Sequence, residues 1–416
     1  MFVPIAEALK SAGKTINIRG WAYRVREQKG AVFIVLRDST GLIQCIFKDS
    51  AEATKVTIES SLEIEGVVKE DPRAPGGAEI AGSSLKIVGL AERFPIGKDQ
   101  SEEFLRDVRH LWVRSQKLAN IFKIRSSVFQ AIREFYTSRG FYEIQSPIFT
   151  TNACEGATTL FEVKYGKPEK VYLAQSWQLH AEALIYSLEK IFTIAPSFRA
   201  EKSRTIRHLS EYWHHEAEVA WMDFEGMLKL EEELVVFVTK YVLEKNEQEL
   251  KALGKDLEEL RGLKTPFQRL TYEQMLKEMG KKWGDDITDA EERELVKKLG
   301  NKPIFLTHFP REMKAFYMKP AEKGKTVLAA DLLIPGVGEV IGGSQRIDKL
   351  EELTEAMEKF GLNKKDYEWY IDLQKYGSVP HSGFGLGVER LLMWLTGTAH
   401  IMDTIPFPRT MDRIKP

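Results

Sequence analysis

Between Lys14 and about Val88, apolar and polar positions alternate in short runs. Thr15–Ala22, Ala31–Arg37, Leu42–Phe47 and Ser61–Val68 are rich in β-branched and aromatic residues. Gly30 and Asp38-Ser39-Thr40-Gly41 punctuate them as turns. A period of two predicts strands with one buried face. A helical stretch is expected over Ala51–Glu59, and Pro72 and Pro75-Gly76-Gly77 form a loop before the last strand. Short strands with a helix before the fourth suit a five-stranded OB barrel.

From Arg109 the pattern lengthens. Lys117–Arg139 carries apolar residues at a spacing near 3.6, as does Glu225–Glu249, and both predict helices. Lys190–Phe198 and Glu211–Ala220 read as strands on either side of a polar loop. The segment 94–108 lacks a strong apolar period and reads as a hinge. Leu250–Gly300 is highly charged and reads as peripheral helices inserted between two halves of a sheet. The expected fold class is α+β: a barrel over 1–93, the hinge, and a larger domain over 109–416.

Composition narrows the chemistry by exclusion. A formal net charge of −1 gives no global electrostatic signature for nucleic acid, so any RNA contact must use local patches. Cys45 and Cys154 match no zinc spacing and predict free buried thiols. No run of 18 apolar residues occurs, so no membrane span is expected and a cytoplasmic location is the default. Gly13-Lys14-Thr15 and Gly324-Lys325-Thr326 resemble phosphate loops, but the glycine required five residues earlier is replaced by Ala8 and Lys319. His214 and His215 are adjacent on a strand and point to opposite faces.

Two segments carry positive chemistry. Ser382-Gly383-Phe384-Gly385-Leu386-Gly387-Val388-Glu389-Arg390 places three glycines on alternate strand positions before an apolar helix. One strand face is then bare, and a flat ligand can lie on the backbone. The loop after Phe198 holds five cationic or imidazole groups in ten residues: Arg199, Lys202, Arg204, Arg207 and His208. Phe198, Tyr212 and Trp213 place aromatics at both of its mouths. Guanidinium groups for phosphates and a ring for a base together suit a nucleotide.

These segments resemble motifs 2 and 3 of the class II aminoacyl-tRNA synthetases. Motif 1 is matched by Arg139-Gly140-Phe141-Tyr142-Glu143-Ile144-Gln145-Ser146-Pro147. Within the class, the chain resembles the archaeal-type aspartyl/asparaginyl subgroup over nearly its whole length. The resemblance implies an antiparallel catalytic sheet flanked by helices, an anticodon-binding barrel and a homodimer joined through motif 1. It implies ATP as substrate, with Arg199 on the α-phosphate, Glu201 on the adenine side, and Arg207 and His208 on the outer phosphates. Tyr212 would stack under the adenine, with Gly385, Gly387 and Arg390 on its other side. Asp331 and Glu339 beside a triphosphate imply Mg²⁺, because carboxylates there are repulsive without a cation.

Glu155, Ser176, Gln178, Glu216 and Arg346 would form the amino-acid pocket. The Glu155-Gly156 loop would close over it, and Trp177 would either narrow it or pack behind it. Aspartyl members carry a lysine where this chain has Ala181. Glu211-Tyr212-Trp213-His214-His215-Glu216 and Gly342-Gly343-Ser344-Gln345-Arg346 also follow the asparaginyl pattern. An asparagine amide can donate to Glu216 and accept from Arg346. An aspartate carboxylate would meet Glu216 at a cost of roughly 4 kcal/mol at about 4 Å in a dielectric near 20. L-asparagine and tRNA(Asn) are therefore the expected substrates. Alternatives are an aspartate–tRNA ligase, discriminating or non-discriminating, an asparagine-synthetase-like paralogue, which would lack the barrel, or a binding module, which would have lost Arg199, Glu339 or Arg390. In the barrel, Phe33 and Gln44 match positions where the subgroup reads an anticodon base, with Arg24 and Arg26 available for phosphates.

Overall fold

A computed structural model describes residues 1–155, 157–166, 170–201, 205–322 and 324–416. Of the sequence readings, Gly156 and the Lys202-Ser203-Arg204 part of the basic loop lie outside the described residues. The chain divides into compact units at 1–105 and 106–416.

The first unit is a closed five-stranded barrel. Its strands are β1 (Thr15–Gln28), β2 (Ala31–Arg37), β3 (Leu42–Lys48), β4 (Ser61–Glu70) and β5 (Ala78–Gly89), in the order β1-β2-β3-β5-β4. Alternation decides which side chains fill it. Val32, Ile34 and Leu36 of β2 and Ile43, Cys45 and Phe47 of β3 point inward and are buried. The residues between them face out. The helix expected over Ala51–Glu59 is instead one short 3₁₀ turn at Ala53–Lys55. Its far end is fixed by Glu59, which takes a positive φ of 70° and receives two 2.9 Å bonds from Arg37. That buried ion pair holds the backbone where a helix cannot continue. Cys45 and Cys154 are free and buried.

In the second unit, the described residues form an eight-stranded sheet. Its strands include β6 (Tyr142–Glu143), β10 (Lys190–Phe198), β11 (Glu211–Ala220) and β12 (Gln268–Thr271). The others are β13 (Ile304–Thr307), β14 (Ala329–Ile334), β15 (Gly338–Gln345) and β16 (His381–Gly387). A small sheet of β7 (Phe149–Thr150), β8 (Glu162–Val163) and β9 (Val171–Leu173) stands apart. The large sheet runs β12-β13-β14-β15-β16-β11-β10-β6. Its six middle strands are antiparallel, and the edge strands β6 and β12 pair in parallel. The sheet is therefore mixed, where the sequence led to an antiparallel one.

Helices cover one face. The helix Gln116–Thr137 starts at Ser115, whose hydroxyl accepts the Leu118 N–H. It buries Leu118, Ile121, Ile124, Val128, Ile132 and Phe135, a stripe three or four residues apart. It packs with the helix Phe224–Ala252 over Phe384 and Leu386 of β16. Arg125 on the first helix lies 2.6 Å from Glu389, whose other oxygen accepts the Trp213 N–H. One buried carboxylate at the start of the motif 3 helix Val388–Thr396 thus ties the motif 1 helix to the motif 2 strand β11. No helix of the described residues is long and apolar enough to cross a membrane.

Candidate active site

The opposite face of the sheet carries the polar residues, and strand alternation sorts them. On β11, His214, Glu216 and Glu218 share one face. His215 points to the other, buried, with Nε2 2.9 Å from the Tyr136 hydroxyl. On β16, Glu216 is paired with Gly385 and Glu218 with Gly383. A Cβ on Gly385 would collide with the His214 ring, and one on Gly383 with the Glu218 carboxylate. The bare face read from the sequence is real, but two neighbouring side chains lean into it. The glycines make room for His214 and Glu218 as well as for a ligand.

The nine residues expected to hold the nucleotide line one cavity: Arg199, Glu201, Arg207, His208, Tyr212, Glu339, Gly385, Gly387 and Arg390. The Arg199 guanidinium carbon lies 5.7 Å from the Tyr212 ring centroid, and its Nε is buried with no hydrogen-bond partner among the described residues. Arg390 Nη1 makes 3.0 Å bonds to the Glu339 carboxylate and to its backbone oxygen. Burial pushes the Glu339 carboxyl up, but Arg390, Lys314 and Arg207 outweigh it and hold it at about 2. Burial, joined by Arg390, holds His208 below its usual range despite Glu201 and Asp289 nearby.

A second cavity of about 660 Å³ shares Arg199, His214, Glu339 and Gly385 as walls with the first. It is lined by all five expected amino-acid contacts, Glu155, Ser176, Gln178, Glu216 and Arg346. Each of the five has a protein partner. The Ser176 hydroxyl donates to Glu216, which also accepts the Trp177 N–H at 2.9 Å. Burial raises the Glu216 carboxyl, those two bonds lower it, and the balance is about 7. Arg346 donates through Nε and Nη2 to the two oxygens of Glu218, both at 3.0 Å, and through Nη1 to Ser344. Glu155 accepts from the Tyr317 hydroxyl, and Gln175 braces the same loop through the Cys154 and Glu155 N–H groups. Trp177 packs behind the pocket against Ala181, Ile185 and Ile191, leaving 3% of its surface exposed.

Behind Gln178 lies a buried polar network. Gln178 Nε2 donates to Glu182, which also accepts from Tyr370 and pairs with His381 at 3.1 Å. Among the described residues, Glu182, Glu218 and His381 form the one three-residue cluster with metal-ligand spacing. Their oxygens are already bonded to Gln178, Tyr370, His381 and Arg346, so the cluster is a charge network that fixes the pocket wall.

Asp331 and Glu339 approach each other over Gly342. A Cβ there would lie 3.4 Å from Glu339 Oε1 and 3.6 Å from Asp331 Oδ1. Asp331 pairs with Lys314 at 2.6 Å. Burial and Glu339 raise its carboxyl, Lys314 opposes them, and the result is about 6. Two carboxylates beside a basic nucleotide cavity fit Mg²⁺, which takes few protein ligands and completes its shell from phosphate and water.

Sequence reasoning missed Glu218, Lys314, Asp289 and Glu292. Glu218 carried a signal, since it falls two residues after Glu216 on the same strand face. The other three come from segments without a motif.

Two family models match the chain. An OB-fold nucleic acid binding domain matches residues 16–88, and tRNA synthetases class II (D, K and N) match residues 101–411. The chain belongs to the class II tRNA synthetases. It is 47% identical to the asparagine–tRNA ligase of Thermoplasma acidophilum over 430 aligned positions, 99% of each chain. The asparaginyl-tRNA synthetase of Pyrococcus horikoshii, solved with asparaginyl-adenylate, superposes with a TM-score of 0.96 at 42% identity over the full length of both. An aspartyl-tRNA synthetase from Entamoeba histolytica superposes at 0.85 with 27% identity, covering 100% of this chain and 93% of that one. The synthetase thus shares its fold with both amino-acid specificities and more of its sequence with the asparaginyl one.

Proposed function

We propose that the chain is an asparagine–tRNA ligase. It joins L-asparagine to ATP as asparaginyl-adenylate with release of pyrophosphate, then transfers the acyl group to the 3′ end of tRNA(Asn). The observation that carries this reading is that Glu216 and Arg346 line one cavity next to the Arg199–Arg390 nucleotide cavity. Near-full-length similarity to asparaginyl relatives supports it.

The asparagine carboxylate attacks the α-phosphate, and the pyrophosphate leaves with the electron pair of the broken P–O bond. No enzyme nucleophile is required, so catalysis rests on alignment and on neutralising phosphate charge. Arg199 takes the α-phosphate and Arg390 the outer end, with His208 beside it and Tyr212 under the base. Glu201 contacts the adenine. Glu339 and Asp331 would hold Mg²⁺, which when bound screens the triphosphate charge. Glu216 accepts from the side-chain amide, Arg346 donates to its oxygen, and Gln178 and Glu155 close the pocket.

Recognition of tRNA(Asn) falls to the outer face of the barrel. Phe33 and Gln44 are outward residues of β2 and β3. The Arg26 guanidinium lies over the Phe33 ring at 4.9 Å, and Gln44 donates to Glu79. Arg24 and Arg26 are exposed on the neighbouring strand. The synthetase works as a homodimer in the cytoplasm. Around motif 1, Tyr142, Ile148 and Phe149 are exposed, an apolar edge that a two-fold partner would cover. Charging of a tRNA(Asn) transcript with radiolabelled asparagine tests the proposal. It predicts acid-precipitable, base-labile Asn-tRNA, and failure to charge despite active ATP–pyrophosphate exchange would refute it.

A further inference from the structure

The charged segment that reads as a peripheral insertion reaches the nucleotide cavity. Its helix Asp289–Lys298 starts at a capping box, Thr288 with Glu291, which fixes the first turn. That turn presents Asp289 and Glu292 to Arg207. Arg207 Nη1 lies 2.5 Å from Glu292 Oε2, and Nη2 lies 2.5 Å from Asp289 Oδ1. Arg207 is 5% exposed. Burial disfavours its charge, but the two carboxylates more than offset this and strengthen its hold on the proton.

Glu292 does more than pair with Arg207. Its Oε2 also accepts the backbone N–H of Glu339 at 2.9 Å. The pair lies directly over Gly338, where a Cβ would strike Glu292 and come within 2.7 Å of Arg207 Nη1. Asp289 Oδ2 lies 4.0 Å from Nδ1 of His208, the residue after Arg207. One turn of the inserted helix therefore touches the basic loop on one side and the start of β15 on the other. A chain of contacts follows: Arg390 to the Glu339 carboxylate, the Glu339 backbone to Glu292, Glu292 to Arg207, and Asp289 beside His208.

We infer that Glu292 and Asp289 are positioning residues of the ATP site, and that Arg207 is an anchor for the basic loop rather than a phosphate ligand. Asp289, Glu292 and the nearby Glu339 already take up the positive field of this deeply covered arginine, so little of it is left for a triphosphate. Its neighbour His208 and the Glu339–Arg390 pair are what the anchor presents. The inference rests on the ATP-dependent reading of the cavity above.

The test is ATP–pyrophosphate exchange by full-length wild type, Arg207→Gln, Glu292→Gln and the double variant, with ATP and asparagine varied separately. Exchange by the wild type establishes the ATP reading independently of the variants. Arg207→Gln leaves two carboxylates without their cation and Glu292→Gln leaves Arg207 with Asp289 alone; each is expected to raise KM for ATP about tenfold, with KM for asparagine within about twofold. The double variant removes the Arg207–Glu292 pair and leaves only the partly exposed Asp289 beside His208, and it is expected to return KM for ATP to within about threefold of wild type. Loss of exchange in Arg207→Gln with no recovery in the double variant would make Arg207 a phosphate ligand and overturn the inference. A lowered melting temperature with unchanged KM for ATP would also overturn it, since the contact would then serve folding alone. Asp289→Asn, on a more exposed side chain, gives the same reading if the buried variants fail to fold. A rise in KM for ATP supports the inference, and no change contradicts it.

Discussion

Arg346 and Glu218 face each other as a buried fork, with both 3.0 Å bonds formed and both residues at most 3% exposed. The guanidinium that would meet the substrate amide is therefore aimed before substrate arrives. Ser344 holds the remaining arm. Glu218→Gln keeps the shape and removes the counter-charge. Breaking a buried pair in this way costs about 3–5 kcal/mol. The variant should melt at a lower temperature and show KM for asparagine raised roughly tenfold or more, with KM for ATP little changed. Steady-state exchange kinetics check this.

Glu216 gives a pH prediction. Burial sets its carboxyl near 7 against the opposing bonds from Ser176 and Trp177. Above that pH it is a carboxylate that accepts from an amide and repels aspartate. Below it, the protonated form can donate to an aspartate carboxylate. The ratio of kcat/KM for asparagine over aspartate should fall about tenfold as pH drops from 8 to 6. Glu216→Gln should flatten that dependence. Exchange measured with each amino acid across the range decides it.

Arg199 has no core role. Its Nε finds no partner among the described residues, and its side chain faces both cavities. Arg199→Ala should reduce exchange by about two to three decades. Circular dichroism and the melting temperature should stay near wild type. Retained exchange would remove Arg199 from the mechanism.

The strands around the site were legible in the sequence, and the contacts between distant segments were not. Lys190–Phe198 and Glu211–Ala220 were bounded by their own β-branched and aromatic pattern, and both strands occupy those residues. Period two then puts Glu216 on the site face, and Glu218, which no motif marks, falls on the same face. The Ala51–Glu59 helix failed because a tertiary ion pair, Arg37 with Glu59, overrides local propensity. The inserted segment reaches further than its helical, charged pattern implies, for a related reason. Gln268–Thr271 joins the sheet edge, and Asp289 and Glu292 reach Arg207 across more than 80 residues of chain. A surface-like charge pattern gives no sign of which carboxylates find a buried arginine.

The barrel offers a prediction separable from adenylate chemistry. Phe33 alternates with the inward residues Val32 and Ile34, so its ring lies outside the core. Stacking of an unpaired base on such a ring is worth about 1–3 kcal/mol. Phe33→Ala should weaken tRNA charging roughly ten- to hundredfold while leaving pyrophosphate exchange nearly unchanged. Equal loss in both assays would make Phe33 a structural residue.

The most direct measurement of the central claim is amino-acid-dependent ATP–pyrophosphate exchange with asparagine and aspartate side by side in the presence of Mg²⁺. The Glu216–Arg346 pocket, with Ala181 in place of a lysine, predicts exchange with asparagine and at least about a hundredfold less with aspartate at pH 8. Equal or greater exchange with aspartate would contradict the account.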